Sequence, residues 1–174
     1  MSNRTRTFSW HDPTEIVNAI KKAGGRRTLE AIISGEHSMA PSGYLMNFRL
    51  VSVSDRSAMI EFTPAEFHYN LIGSVHGGVI TAVLDSAMAC AVLASLPQGT
   101  IHTTLEFKVN FLHGISVETG RMRAEGRVMH LGTRIATAEA RMTSQDGKLY
   151  AHATTTCLIA SFPETDTGKA DTID

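Results

Sequence analysis

GGVITAVLDSAMACAVLASL, residues 77–96, contains the most apolar stretch of this 174-residue chain. Residues 79–95 predict a single long helix, because the Pro-Gln-Gly sequence that follows Leu96 is typical of a helix end. A helix that is apolar on nearly every side has to be covered on every side. A membrane-spanning helix needs about 20 largely uncharged apolar residues, whereas polar residues at 81, 85, 86 and 95 interrupt this run. We therefore predict a buried helix in a soluble protein.

Strand signals lie on both sides of this helix. Extended and alternating patterns predict strands at residues 44–53, 57–63, 101–112, 116–130, 133–144 and 149–160. Asp146-Gly147 predicts a hairpin between the last two strands, since an Asp-Gly pair accepts the positive φ of a tight turn. One long apolar helix followed by a run of antiparallel strands indicates an α+β fold, in which an antiparallel sheet wraps around the central helix.

Two additional helices are predicted before the first strand. The sequence Asp12-Pro13-Thr14-Glu15 combines a capping residue, a proline suited to the first helical position and an acidic residue three places after the cap. This helix would run to Gly24-Gly25, a second would cover residues 28–33, and residues 39–43 would form a loop. We predict a helical extension at residues 1–40, the main domain at 41–161 and a disordered, acidic tail at 162–174.

Composition narrows the classes of partner. The formal net charge is −1 and 43% of the residues are hydrophobic, which is ordinary for one globular domain. This balance creates no strong field for nucleic acid or an anionic membrane, so we expect neither as a partner. Cys90 and Cys157 lie in apolar runs, which favours buried, reduced thiols. Residues 1–10 lack the apolar segment of a signal peptide, and we predict a cytoplasmic location.

Gly77-Gly78 immediately precedes the predicted helix. Backbone N–H groups at a helix start lack partners within the helix, and the helix dipole makes them attractive to negative charge. Glycine also lets another molecule approach the backbone closely. A carbonyl placed there would have its developing oxyanion stabilised, by up to about 2.7–4 kcal/mol per donor. A plain glycine turn that only begins the helix would have the same sequence.

Asp85 is the only charged residue between Gly77 and Leu96. Burying an unpaired carboxylate among apolar neighbours is costly and perturbs its pKa, so Asp85 is a candidate for catalysis. The structural alternative is a carboxylate that bonds to Thr81 one turn earlier or pairs with a distant arginine.

Asn70 and His76 flank the same short loop. Asn70 could orient a water molecule or a substrate. His76 could act as a base, although a histidine beside a helix start is more often structural.

The separation of Gly77 and Asp85 has a consequence for the oligomeric state. They are eight residues apart, which is roughly 12 Å along a helix. General-base or nucleophilic catalysis requires contacts of about 3 Å, so one chain cannot easily bring both groups to one carbonyl. Two antiparallel copies of the helix, related by a two-fold axis, could place Gly77 of one chain near Asp85 of the other. We therefore predict an active site shared between subunits, and hence a homodimer with two equivalent sites.

The pattern Asn70-x-x-Gly73-x-x-His76-Gly77-Gly78-x6-Asp85 resembles the signature of the hotdog acyl-CoA thioesterases, in the phenylacetate-pathway (PaaI-like) branch. The resemblance covers about residues 41–160, and includes the strand order and the segment TLEFKVNFL at 104–112. Spacing and predicted secondary structure agree across the set, which makes the set more specific than any single residue. The resemblance implies a hotdog fold and hydrolysis of an acyl-CoA thioester to free acid and CoA.

The resemblance also implies roles for particular residues. Gly77 corresponds to the residue whose backbone N–H polarises the thioester carbonyl. Asp85 corresponds to the catalytic carboxylate, which is supplied across the dimer interface as nucleophile or general base. Asn70 corresponds to a residue that holds the nucleophilic water or the thioester, and Thr104 to a residue that assists the water. Relatives form dimers that pair into tetramers and use no metal or redox cofactor, since CoA is part of the substrate.

Cationic residues are candidates for contacts with CoA. Relatives often carry an Arg-Pro pair after the first strand that follows the helix, whereas this chain has His113-Gly114. Arg134 is the best substitute for a nucleotide-binding cation, and Lys108 and Arg141 are the next candidates. Each is also typical of a solvated strand residue.

Apolar residues near the motif are candidates for the acyl pocket. Val75, Leu84, Met88 and Phe62 favour an apolar or aryl acyl group of medium size. The predicted site comprises the catalytic residues Asn70, His76, Gly77, Asp85 and Thr104 and the binding residues Val75, Gly78, Met88, Lys108 and Arg134.

Two other functions are compatible with the sequence. A hotdog hydratase or dehydratase would use a histidine as general base, whereas the predicted helix has Asp85 and no histidine. A non-catalytic acyl-CoA sensor would need an output element, and the N-terminal helices offer only a basic cluster at residues 21, 22, 26 and 27, which is typical of a solvated helix end. Thioester hydrolysis is therefore the leading interpretation. The N-terminal helices could cover the acyl pocket or extend the interface, and the sequence leaves this open.

Overall fold

The computed structural model describes residues 3–162, so the predicted disorder of residues 163–174 lies outside the described residues. Within that range the helices are α1 (Thr14–Ala23), α2 (Gly25–Ser34), α3 (Pro41–Met46) and α4 (Gly77–Ser95). The strands are β1 (Phe48–Ser54), β2 (Ser57–Phe62), β3 (Thr100–Phe111), β4 (Met122–Leu131), β5 (Ile135–Ser144) and β6 (Leu149–Ser161).

The six strands form one antiparallel sheet in the order β1-β2-β4-β5-β6-β3. α4 packs across this sheet, mainly on β4, β2 and β5. Its buried residues include Ile80, Val83, Leu84, Ala87, Met88, Ala91 and Val92. The predicted α+β architecture, with an antiparallel sheet around a long helix and two helices before it, is confirmed.

Small residues allow the sheet to approach α4 closely. Ala136, Ala138 and Ala140 alternate along β5 and are buried, because every second residue of a strand points to the same face. On β4, a Cβ added to Gly126 would lie 2.2 Å from the Ala87 carbonyl oxygen. The helix backbone therefore rests directly on the sheet at this point.

The N-terminal helices pack against the C-terminal half of α4. Leu29 of α2 is buried and belongs to the same hydrophobic core as α4. A Cβ added to Gly25, the first residue of α2, would lie 2.4 Å from the Leu93 carbonyl oxygen, so α2 and α4 also touch through their backbones. α1 packs on α2 and has no buried residue.

The prediction of a strand from residue 44 and a loop at 39–43 was wrong. Residues 41–46 form the short helix α3, and the strand begins only at Phe48. Pro41 occupies the first turn, where its fixed φ suits a helix, and Asn47 ends the helix in the left-handed conformation with φ 56°.

The strand predicted from residue 116 also begins later than expected. Val117–Thr119 form a 3-10 turn, and β4 begins at Met122. Local side-chain bonds compete with strand pairing here: the backbone N–H of Ser116 donates to Thr119 Oγ1 at 3.0 Å, and its hydroxyl donates to Glu118.

Two helices begin earlier than their predicted first residues. α4 starts at Gly77, two residues before the predicted start, and α2 starts at Gly25. α1 begins at Thr14, and the predicted capping residue Asp12 accepts a hydrogen bond from the Thr14 N–H at 2.9 Å.

α4 is the one helix among residues 3–162 that is long and apolar enough to cross a membrane. The buried core helix of a soluble protein meets the same criterion, and α4 packs here against β2, β4 and β5.

Candidate active site

The side chain of Asn70 organises the loop that leads into α4. Its Oδ1 accepts hydrogen bonds from the backbone N–H groups of Ile72 at 3.0 Å and Ser74 at 3.2 Å. Its Nδ2 donates to Ser74 Oγ at 3.1 Å, which uses one of the two amide hydrogens. Gly73 adopts φ 79°, which lets the chain turn back within this loop. Asn70 therefore fixes the shape of the loop beside Gly77.

His76 caps α4. Its Nδ1 accepts a hydrogen bond from the Gly78 N–H at 2.9 Å, and its carbonyl oxygen accepts one from the Val79 N–H at 2.9 Å. A neutral histidine that accepts at Nδ1 carries its proton on Nε2, so it presents a donor there and no free base. The structure therefore favours the structural interpretation of His76, and the Gly78 amide is occupied by the cap.

The amide of Gly77 is the first of α4. Within residues 3–162 this N–H has no hydrogen-bond acceptor, as expected for the start of a helix. A Cβ added to Gly77 would lie 3.2 Å from the Phe111 ring. A larger residue would therefore crowd this ring, whereas glycine leaves space beside the amide. The amide is thus available to an oxygen that approaches from outside the chain.

Gly77 lines a cavity of about 300 Å³ at the N-terminal end of α4. Its other walls include Asn70 and Ser74 of the loop, Phe111 of β3, and His113. Phe111 lies in the segment on which the family resemblance rests, but no role was predicted for it. The signal that could have identified it is its position seven residues after Thr104 on the strand that returns along α4.

Asp85 and Thr104 meet across the gap between α4 and β3. Thr104 Oγ1 donates a hydrogen bond to Asp85 Oδ1 at 3.0 Å. Burial raises the pKa of the half-buried Asp85 carboxyl, and the hydrogen bond from Thr104 partly opposes this increase. The bond from Thr81 and the pairing with an arginine, which the sequence left open, are not what the structure shows. β3 carries a bulge between Thr104 and Glu106, which changes the alternation of its side chains at this point.

Within one chain, Gly77 and Asp85 lie far apart on α4. Both lie on the straight run of α4, about 12 Å apart along its axis. Gly77 contacts the end of β3 at Phe111, whereas Asp85 contacts it at Thr104. The structure brings together Asp85 with Thr104, and Gly77 with Asn70 and Val75, as two groups.

Three of the residues suggested for an acyl pocket are core residues. Phe62, Leu84 and Met88 have no exposed surface, because they fill the space between α4 and the sheet. The expectation that they line an accessible pocket is therefore wrong for the single chain. Val75 is also buried, but it borders the cavity at Gly77.

The candidate cations are exposed. Lys108 lies on the edge strand β3, Arg134 lies immediately before β5, and Arg141 lies on β5. Among residues 3–162, no group of three His, Cys, Asp or Glu side chains is arranged to hold a metal ion.

The sequence model of the thioesterase superfamily matches residues 72–151. A provisionally named esterase of Saccharolobus solfataricus is 27% identical over 108 residues, which cover 62% of this chain and 75% of that protein. A provisionally named thioesterase of Ralstonia eutropha, described as related to phenylacetic acid degradation, is 27% identical, with a TM-score of 0.67 over 75% of this chain and 98% of that one. The Escherichia coli PaaI protein has a similar fold at 17% identity, with a TM-score of 0.68 over 78% of this chain and 96% of that one.

The sheet order, the central helix and these structural neighbours define a hotdog fold. Over residues 72–151 the chain is similar to the thioesterase superfamily, and among solved structures it is similar to the Ralstonia eutropha protein at 27% identity.

Proposed function

We propose that the protein hydrolyses acyl-CoA thioesters, and that each active site combines Asp85 of one subunit with the Gly77 amide of another. The observation that carries this proposal is the half-buried Asp85 carboxyl, which Thr104 holds by a hydrogen bond and whose pKa is raised by burial. Among residues 3–162 no cation pairs with Asp85, and a carboxylate kept in such surroundings is typical of a catalytic group.

The chemistry requires two functions. The Gly77 N–H donates to the carbonyl oxygen and stabilises the negative charge that develops there during attack. Asp85 either removes a proton from the attacking water or attacks the carbonyl carbon itself. In both routes the C–S bond breaks, water supplies the hydroxyl group of the acid, and CoA leaves as the thiol. The Thr104 hydroxyl orients the carboxylate, while Asn70 shapes the loop beside the amide.

A second copy of the chain is the partner that would complete the site. β3 is an edge strand of 12 residues, and its open side exposes backbone groups that can pair with another strand. Leu105, Phe107 and Phe111 of the same strand are exposed by 56%, 38% and 49%. Such an edge favours association of two chains through β3, the strand that touches both Gly77 and Asp85.

The remaining predictions concern the environment of this reaction. Lys108 and Arg134 are exposed cations that could contact the phosphates of CoA. A cytoplasmic location, a tetramer and a reaction without a cofactor stay predictions.

Release of free CoA tests the function directly. The purified protein is incubated with a panel of acyl-CoA thioesters and a thiol-detecting reagent. Hydrolysis gives one thiol per turnover, whereas a hydratase or an acyl-CoA sensor gives none. Asp85→Asn should lower turnover by about 10²–10⁴-fold, because the amide cannot accept the proton of water. Near-wild-type turnover in this variant would remove Asp85 from the mechanism.

The role of the Gly77 amide can be isolated with a matched pair of variants. Gly77→Pro deletes the N–H at a position where proline fits a helix, and the ψ of 134° at His76 suits a residue before proline. Gly77→Ala adds a comparable Cβ beside Phe111 but keeps the N–H. We expect kcat to fall about 10²–10³-fold more in the proline variant than in the alanine variant. Equal losses would mean that crowding, and not the missing donor, is responsible.

A further inference from the structure

A second cavity, of about 220 Å³, lies between the N-terminal helices and α4. Its walls include Ile20 of α1, Leu29 and Ile32 of α2, Phe48 of β1, and Ala89 and Leu93 of α4. The lining is almost entirely apolar, and it comes from elements that the sequence places far apart. Apolar walls of this kind favour an apolar occupant.

Two of the three hydroxyl groups at this cavity donate to the backbone, and the third, on Ser42, is exposed to solvent. Thr28 Oγ1 donates to the Gly24 carbonyl oxygen at 2.9 Å, and Ser86 Oγ donates to the Ala82 carbonyl oxygen at 2.7 Å. Burial raises the pKa of the Cys90 thiol in the same wall to about 12, with a further contribution from the charge of Asp85. The site therefore demands no polar groups from its occupant.

The cavity borders the segment of α4 that follows the proposed catalytic carboxylate. Ala89 lies four residues after Asp85, and residues at this spacing are neighbours on one face of a helix. Ser86, the residue after Asp85, also lines the cavity, and the charge of Asp85 acts on Cys90. A carbonyl group held at Asp85 would thus lie about one helical turn from Ala89 in the cavity wall.

We propose that this cavity binds the acyl chain of the substrate, and that the protein prefers apolar acyl chains of medium length, on the order of eight carbons. The length follows from volume, since a dry cavity of about 150 Å³ holds benzene, which has six carbons. This inference rests on the proposed function, because it takes Asp85 as the group that meets the thioester carbonyl.

The wall that sets the chain length belongs to the N-terminal extension. The family match covers residues 72–151, which includes the α4 side of the cavity but neither α1, α2 nor β1. α1 closes the cavity with Ile16 and Ile20, and the neighbouring Val17 is 44% exposed. The extension therefore serves as a specificity element that this chain adds to the hotdog fold.

The test compares acetyl-, octanoyl- and dodecanoyl-CoA as substrates of the wild type and three variants. Ile20→Phe fills the cavity and should lower the ratio of kcat/KM for octanoyl-CoA over acetyl-CoA at least about tenfold. Ile20→Ala enlarges the cavity and should shift the preference toward dodecanoyl-CoA. Val17→Phe places the same ring on the exposed side of α1 and should leave both ratios unchanged.

The outcomes distinguish a failure of this inference from a failure of the proposed function. If the wild type releases no CoA from any of these thioesters, the proposed function fails and the inference with it. If it hydrolyses them, but both Ile20 variants keep the wild-type ratios, the acyl chain binds elsewhere and the inference alone is overturned. The two Ile20 variants change the cavity in opposite directions, so a folding defect in one of them cannot imitate the expected pattern.

Discussion

Asp85 illustrates how opposing local effects set the pKa of one carboxyl group. Burial beside α4 and β3 disfavours the charged form, whereas the hydrogen bond from Thr104 favours it. The first effect is the larger, so the pKa of the folded state lies above the ordinary value of about 3.9. Changes at Asp85 or at Thr104 should therefore affect stability and pH dependence.

Asp85→Asn should increase the stability of the protein at neutral pH. A carboxyl group whose pKa is raised on folding contributes stability below its unfolded pKa and loses that contribution as the pH rises through its folded pKa. At pH 7 the wild type carries the desolvation cost of the charge, whereas asparagine is neutral and can still accept from Thr104. Urea unfolding should give a higher midpoint for the variant at pH 7.

The gain should disappear at pH values below about 4, where both side chains are neutral. Asp55→Asn, in the exposed turn between β1 and β2, is the matched control and should change the midpoint little at either pH. A variant less stable than the wild type at pH 7 would contradict the assignment of a desolvation cost to Asp85.

Thr104→Val should move the acid limb of the activity profile to higher pH. The threonine hydroxyl lowers the pKa of Asp85, so its removal leaves burial unopposed and the carboxylate protonates at a higher pH. The measurement is the pH dependence of kcat/KM for one acyl-CoA. Thr103→Val, the exposed neighbour on the same strand, should keep the wild-type limb. A shift toward lower pH would show that Thr104 does not stabilise the charged form.

At the scale of the elements, the placement of α4 depends on residues without side chains. The backbone of α4 lies against β4 at Gly126 and against α2 at Gly25, and a Cβ at either position would overlap a carbonyl oxygen. Because both contacts involve backbone, no rotation of a side chain can relieve the overlap. Gly126 sets how closely α4 packs on the sheet, and Gly25 sets how closely it packs on α2. Together they help to position Gly77 and Asp85.

Gly126→Ala should destabilise the protein by about 3 kcal/mol or more, since its Cβ would lie 2.2 Å from the Ala87 carbonyl oxygen and must displace α4. Gly114→Ala has open space around its Cβ and is the control, with an expected change within about 0.5 kcal/mol. Chemical unfolding of both variants measures the difference. Equal stability of the two would mean that α4 shifts without cost.

Local sequence signals predicted most of these elements. The apolar run of α4 and the alternation of β5 are strong because they extend over many residues. The signals were misleading at residues 44–46 and 116–121, where the helix α3 and a 3-10 turn replace strand. A proline and a left-handed asparagine favour the helix in the first segment, and side-chain hydrogen bonds favour the turn in the second. Such short-range effects compete with the alternating pattern that predicted a strand.

At the scale of the whole molecule, the two groups of the proposed active site lie apart within the single chain. Gly77 and its cavity lie at one end of α4, while Asp85, Thr104 and the apolar cavity lie two turns further along. β3 runs past both and is the exposed edge of the sheet. A dimer formed along this strand would give each site one half from each subunit.

Mixed dimers of two inactive variants should therefore regain activity. In a dimer of Asp85→Asn with Gly77→Pro, one site has both variant groups and the other has both native groups. After subunit exchange in an equal mixture, about a quarter of the wild-type activity should return, since half of the dimers are mixed and each has one native site. Absence of recovery, with exchange demonstrated by differently tagged chains, would show that each site lies within one subunit.

The sequence by itself determined the long apolar helix, the antiparallel strands and the spacing of Gly77 and Asp85, because helix rise and strand alternation follow from local backbone geometry. Only the tertiary structure decided that Thr104 bonds to Asp85, that His76 caps the helix at Gly78, and that α1 and α2 line an apolar cavity against α4. These contacts depend on how separate elements pack and on which side-chain bonds form at their ends. Packing is set by the three-dimensional fit of surfaces that no local pattern encodes.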